Sequence, residues 1–198
     1  MANVLLGVTG SVAAILTPQL FQRLRDDGHA VKVVVTQASL YFFDPRALDP
    51  SCPERNPEVV VLDDDEWPGR DSGRHWQRGE PVLHIELRRW AEVFVIAPLD
   101  ANTLAKLANG LSDNCLTCVW RAWDASRPVV LAPAMNTLMW EHPLTRRHLD
   151  QLNDLMNQQQ GKLNIVPPQS KQLACGDVGI GAMAALDEIV QAVRAVSG

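Results

Sequence analysis

Val4-Leu5-Leu6-Gly7-Val8-Thr9-Gly10-Ser11-Val12-Ala13-Ala14 is the stretch that decides the fold. Val4 to Val8 holds no polar residue, the pattern of a strand buried on both faces rather than on one. Gly7, Gly10 and Ser11 break the run, and a helix candidate follows near 12–27. Similar apolar runs recur at Val31 to Val35, Val59 to Leu62, Val93 to Ala97, Val129 to Ala132 and Leu163 to Val166. Helix candidates lie between and beyond them near 37–43, 84–91, 101–110, 113–123, 144–157 and 185–196. The last carries Leu186, Ile189, Val190 and Val193 at helical spacing. Alternation of this kind predicts an α/β fold, a parallel sheet with helices on both sides. No internal repeat and no second domain are expected.

The chain has 198 residues, a length that suits one domain and buries about 70% of the unfolded surface. Hydrophobic residues make up 46%, too many for disorder. The net charge of −5 argues against a nucleic-acid partner, which would be met by a basic face. The apolar start could imitate a signal-peptide core, but no Lys or Arg precedes it and glycines interrupt it. No run reaches the roughly 18 apolar residues of a membrane span. The four cysteines are sparse and irregularly spaced, so no disulfide framework is expected. A reduced, cytoplasmic protein is the expectation, with no membrane partner.

Two stretches break the rhythm. Residues 63–81 are polar and rich in Gly, Arg and Asp, an excursion at the surface. Residues 167–183 carry Pro167, Pro168 and three glycines, a candidate lid. Asp63-Asp64-Asp65-Glu66 lacks the glycine and spacing of a calcium loop and reads as a solvated turn. Cys115-x-x-Cys118 has no second pair to complete a zinc site, so two buried thiols are expected and no metal.

Gly7 to Ser11 is neither a P-loop nor a dinucleotide fingerprint. A tight turn into a helix still offers free N–H groups to an anion, and an anion site and a plain turn are equally good readings there. Pro98-Leu99-Asp100-Ala101-Asn102-Thr103 follows another strand, and Asp100 can cap the next helix or face a ligand. Pro133-Ala134-Met135-Asn136 follows a third, its Asn offering a donor and an acceptor. Ligands in open parallel sheets bind at the carboxyl ends of strands, so three such ends would share one cleft. His84 and Arg88 would share a helix face, with Arg89 a step round, an acid/base group beside a carboxylate clamp. Cys175 sits in the glycine-rich loop, where a thiol is reactive or incidental.

Pro133-Ala134-Met135-Asn136-Thr137-Leu138-Met139-Trp140 resembles the PxMNxxMW signature of the homo-oligomeric flavin-containing cysteine decarboxylases. His84 to Trp90 resembles that family's active-site histidine segment, and Ala174 to Ala184 its substrate-clamp loop with a cysteine. Gly10 to Ala14 and Ala101 to Thr103 are similar to its flavin-binding turns, so the likeness runs from about Val4 to Ala184. Asp100 stands where many members have serine. The resemblance implies a single Rossmann-like (flavodoxin-like) domain over 1–198, FMN as cofactor, and a homo-oligomer, a homotrimer or a multiple such as a homododecamer. It implies FMN contacts from Gly10, Ser11, Val12, Thr36, Ser39, Phe42, Asp100, Ala101, Asn102 and Thr103. It implies His84 and Cys175 as catalytic residues, with Arg89, Asn136, Met139, Ala174 and Ala182 at the substrate.

The chemistry implied is oxidation of the CH2–SH group to a thioaldehyde, which lets the neighbouring carboxylate leave with its electrons drawn toward sulfur. A cysteine in the clamp loop marks the branch that resaturates the product on the route to coenzyme A, starting from 4'-phosphopantothenoylcysteine. The alternative branch releases an aminoenethiol from the C-terminal cysteine of a peptide. A non-catalytic, flavin-binding regulatory subunit is the other alternative, disfavoured because His84, Asn136 and Cys175 occur together.

Overall fold

The computed structural model describes residues 1–52, 54–172 and 178–197. Six strands form one parallel sheet: β1 (Asn3–Val8), β2 (Ala30–Val35), β3 (Val60–Val61), β4 (Val93–Leu99), β5 (Val129–Pro133) and β6 (Leu163–Ile165). Their spatial order is β3-β2-β1-β4-β5-β6. The α/β architecture expected from the apolar runs is therefore what the chain adopts. The order adds what periodicity could not supply: the chain reverses its direction of winding between β1 and β4, which opens a crevice at their carboxyl ends.

Both faces of the sheet are covered, which is why its central strands are apolar along most of their length, while Lys32 of β2 and Asn164 of the edge strand β6 are only half-buried. On one face Val4, Leu6 and Val8 of β1 and Val93, Val95 and Ala97 of β4 meet α1 (Thr17–Asp26) and α8 (Leu186–Val196). Arg23 pairs with Asp187 and Arg194 with Asp27, tying those two helices together. On the other face Leu5, Phe94, Ile96 and Leu131 meet α3 (Leu83–Trp90), α4 (Ala101–Asn109), α5 (Cys115–Arg121) and α7 (Pro143–Gln158). Gly7 lets α5 approach the sheet, since a Cβ there would stand 2.9 Å from Leu116 Cδ1. Among the described residues, no helix is long and apolar enough to cross a membrane.

Three expectations change. The single helix expected over 12–27 is a 3-10 turn, Val12–Leu16, followed by α1. Pro18 is the reason: it has no N–H to carry a helix through from Ala14, but it suits the first turn of a new one. The excursion 63–81 begins with a short helix, α2 (Asp63–Glu66). Within the candidate lid 167–183, β7 (Gln169–Gln172) pairs antiparallel with β8 (Val178–Ala182), and the short helix α6 (Thr137–Trp140) lies against β8.

The acidic run of α2 is anchored rather than solvated. Asp63 accepts hydrogen bonds from the Gln37 N–H at 3.3 Å and the Cys115 N–H at 3.1 Å. Asp65 takes both guanidinium nitrogens of Arg55, at 2.6 and 2.8 Å, and the Leu62 N–H. Four residues cannot hold a helix by themselves. These cross-links hold it.

Leu6 is wholly buried at the centre of the sheet. Leu6→Ala is expected to lower stability by about 2–5 kcal/mol in urea unfolding, through lost transfer energy and the cavity left behind. Burial pushes the Asp63 carboxyl above the ordinary aspartate value, with the two N–H donors opposing it. A raised carboxyl pKa means that the folded state binds the extra proton, so this contribution falls as pH rises from about 4 through the raised value. Asp63→Asn loses one acceptor, a constant offset. Between about pH 4 and 7 the stability difference should nevertheless move in favour of Asp63→Asn, and a difference independent of pH would contradict the burial argument.

Candidate active site

The turn after β1 and the turn after β4 meet at the crevice. Thr9, fully buried, donates its hydroxyl to the Pro98 carbonyl at 2.8 Å and accepts the Asp100 N–H at 2.7 Å. One side chain thus stitches the two strand ends together. The third turn, after β2, closes on them at Gly10: a Cβ there would lie 2.7 Å from Ala38 Cβ and 3.3 Å from Asp100 Oδ2. Only hydrogen fits in that gap. The glycine matters for the approach of three chain segments, not for its own backbone angles.

Around this point lie the residues expected to hold a cofactor. Ser11 caps the 3-10 turn by accepting from Ala13 N–H, and that turn has no acidic residue at its start. Thr36 and Ser39 are buried, and the Ser39 hydroxyl donates to the Thr36 carbonyl at 2.7 Å. Val12 is exposed, and Phe42 is half-buried with its ring edge-on to exposed Tyr41. Asp100 does both of the things its position allowed. Its Oδ1 caps α4 by accepting the Thr103 N–H at 2.8 Å, while Oδ2 turns toward Gly10. Ala101 and Asn102 start α4 half-buried and exposed, and Thr103 is buried beneath them.

Asn136 follows β5. Its Oδ1 accepts the N–H groups of Leu138 and Met139 at 2.8 and 3.3 Å, so it caps α6. Among the described residues its Nδ2 has no acceptor, which makes the side chain a donor, suited to a carboxylate or carbonyl oxygen rather than to an amide N–H. Met139 is exposed beside it, its carbonyl held by the Thr145 hydroxyl. The hairpin lies on this loop. Met135 N–H donates to the Gly181 carbonyl at 3.0 Å, and a Cβ at Gly181, where φ is 142°, would overlap the Met135 carbonyl oxygen. Ala182, half-buried, ends that arm. Ala174 and Cys175 lie outside the described residues.

His84 stands in the first turn of α3. Its N–H donates to Glu66 Oε2 at 2.8 Å and its Nδ1 lies 2.5 Å from Glu66 Oε1. No hydrogen bond joins His84 to Asn136 among the described residues. Arg88 lies four residues on in the same helix, as expected, half-buried with its Nε without a partner among the described residues, and Arg89 is exposed. Cys115 is buried as expected, and burial, followed by the neighbouring Glu66 charge, pushes its thiol far up, so it stays protonated. Cys118 is only half-buried. No group of three or more His, Cys, Asp or Glu among the described residues could hold a metal ion.

Thr9 and Glu66 escaped the sequence reading. A threonine beside a glycine turn has no signal that marks it as a clasp. Glu66 looked like one of four solvated acids, although Leu62 and Trp67 on either side hint that the segment packs against the body.

The Flavoprotein family model matches residues 1–198. Phosphopantothenoylcysteine decarboxylase of Mus musculus is 48% identical over 196 residues, which cover 98% of this chain and 86% of that one. The Arabidopsis thaliana protein of the same name is 49% identical over 195 residues, covering 97% and 83%. Among solved structures, the PPC decarboxylase mutant C175S complexed with pantothenoylaminoethenethiol superposes with a TM-score of 0.83 at 47% identity, covering 98% of this chain and 97% of that one. The FMN-dependent cysteine decarboxylase SpaF superposes at 0.73 with 27% identity, covering 100% and 98%. A parallel sheet reversing between β1 and β4, with its clasped turns and a match along its whole length, places this chain in the Flavoprotein family.

Proposed function

We propose that this chain decarboxylates the cysteine of 4'-phosphopantothenoylcysteine to give 4'-phosphopantetheine, an FMN-dependent step toward coenzyme A. The observation that carries this reading is the similarity of 48–49%, across nearly the full chain, to proteins named phosphopantothenoylcysteine decarboxylase. The cysteine decarboxylase SpaF is more distant, at 27%.

The residues at the crevice fit FMN. Gly10 lets the three turns pack against one another, which brings their backbone groups to one place where a ligand would meet them. The polar set is divided. Ser11 offers a hydroxyl donor at a turn free of acids, suited to phosphate. Thr36 and Ser39 give their hydroxyl protons to the Val8 and Thr36 carbonyls and would line the site. The Asp100 carboxylate would repel phosphate and instead accept from N–H or O–H groups. Gly10, Val12, Phe42, Ala101, Asn102 and Thr103 complete the set that would hold the cofactor. Bound there, FMN supplies a hydride acceptor for the carbon bearing sulfur, the electron sink that lets carbon dioxide leave.

The chain's own residues handle protons and position. A free thiol with pKa near 8.5 is only about 3% ionised at pH 7. His84 would act as the base that raises this fraction or moves another proton in the sequence. Asn136 Nδ2 donates to the substrate's carboxylate or amide carbonyl, and exposed Arg89 supplies charge for the carboxylate. Their grip serves position, because a tighter hold on the ground-state carboxylate would slow its departure. Met139, Ala174 and Ala182 would contact the substrate, and Cys175 would deliver the proton that accompanies return of the hydride, held by the reduced cofactor, to the unsaturated product. The working unit is taken as the whole domain 1–198 in a cytoplasmic homo-oligomer, a trimer or a multiple of trimers.

The test uses the purified, FMN-loaded protein, which should be yellow and release FMN on denaturation. Incubated with 4'-phosphopantothenoylcysteine and with a peptide ending in cysteine, it should remove carbon dioxide from the first only. Loss from the peptide alone would move the protein to the aminoenethiol-forming branch, and turnover of neither would leave a flavin-binding regulator. Cys175→Ser should still release carbon dioxide but accumulate the unsaturated thiol; full conversion to saturated 4'-phosphopantetheine would remove Cys175 from the mechanism. His84→Asn should keep its FMN and lose about 100-fold or more in turnover, the scale of a general base.

A further inference from the structure

Glu66 is buried more deeply than the histidine it touches: its side chain is 4% exposed, against 21% for His84. A carboxylate so far from water is costly unless it is hydrogen-bonded, and His84 contacts both of its oxygens. Both of its oxygens go to this one residue, Oε2 to the main-chain N–H at 2.8 Å and Oε1 to Nδ1 at 2.5 Å. The main-chain N–H can only donate. A carboxylate can only accept, so the Nδ1 contact requires a proton on Nδ1. Nε2 is then the ring atom left to take up and give back a proton.

From this geometry we propose that Glu66 is a positioning residue for His84: it locks the imidazole as the Nδ1–H tautomer, presents Nε2 as the basic atom, and supports the imidazolium that forms when Nε2 is protonated. The inference rests on the assignment of His84 as the base. The surroundings are built for the task. Helix α2 is clamped through Asp65 to Arg55 and through Asp63 to the chain after β2 and to the start of α5, so Glu66 reaches His84 from a fixed platform. Other ionisable groups face the pair. The Cys115 thiol, kept protonated by burial and by the Glu66 charge, is a hydrogen-bond donor to Glu66. Asp63 is engaged by two N–H groups, and Cys118 on α5 also feels the Glu66 charge. On α3 itself Glu86 is exposed, and half-buried Arg88 stands one turn on from His84 along the same face.

A plainer role must be separated from this one. Val82, the residue before α3, makes no side-chain cap, so Glu66 also serves as that helix's cap from outside. Glu66→Gln divides the two roles. If the glutamine oxygen keeps the main-chain N–H, its NH2 group faces Nδ1, and the ring must turn its proton to Nε2. The cap survives and the tautomer inverts.

In FMN-loaded Glu66→Gln, turnover should fall about 10- to 100-fold with KM within about threefold, the scale seen when an orienting partner of a histidine is lost. Nitrogen NMR of protein labelled at histidine should report a protonated Nδ1 at His84 in the parent and a bare Nδ1 in Glu66→Gln. Parent-like turnover with an unchanged tautomer would overturn the proposal. A second pair guards against a folding effect: Glu66→Ala should lose both stability and turnover, and adding Val82→Asp as a new cap should restore stability alone. Recovery of turnover together with stability would reduce Glu66 to a cap and sink the inference. His84→Asn, assayed alongside, keeps the two failures apart. Near-normal turnover there would dismiss His84 as the base, while the NMR arm would still report whether Glu66 sets its tautomer.

Discussion

The Thr9 hydroxyl gives one hydrogen bond and takes another, and the crevice of this protein is organised around that pair of contacts. A parallel sheet whose winding reverses between two adjacent strands leaves their carboxyl ends without a crossing helix. Unless something bound the ends together, the turns would be free to separate. A buried hydroxyl must find partners in any case, and here they are the backbone groups of the opposite strand end. Once these are fixed, Asp100 caps α4 with one oxygen and points the other at Gly10, and the turn after β2 can pack to within a hydrogen atom of both.

A second corner is assembled on different terms. Helix α2 has four residues, all acidic, and no intrinsic reason to form. It exists because Arg55, the Gln37 and Cys115 N–H groups and the start of α3 each take one of its carboxylates. The cost of bringing these charges out of water is met by directed partners, and the result is a rigid mount for a histidine. Burial of Cys115 in the same place keeps its thiol neutral beside the Glu66 carboxylate.

Much of the framework was legible because it depends on patterns local to a few residues. Apolar runs, most of them continuous, named the six parallel strands, since burial on both faces leaves little room for polar residues. Helical spacing found α8, and Asp100 and Asn136 were placed correctly at strand ends. Where a local rule was present but not applied, the expectation missed: Pro18 divides the helix expected over 12–27. The Asn136 amide is a subtler case. The side chain offered both a donor and an acceptor on paper, and the structure spends the acceptor on the cap of α6, leaving only the donor.

The chain's residue pattern alone determined that this is a doubly covered parallel sheet with turns of small and polar residues at its strand ends, because buried strands and tight turns each restrict composition within reach of a few bonds. Only the tertiary structure decided the strand order, the clasp at Thr9 and the burial of Glu66 against a histidine 18 residues away. Those depend on which segments meet after the chain has folded. An acid beside three other acids looks the same in a string of letters whether water or an imidazole lies in front of it.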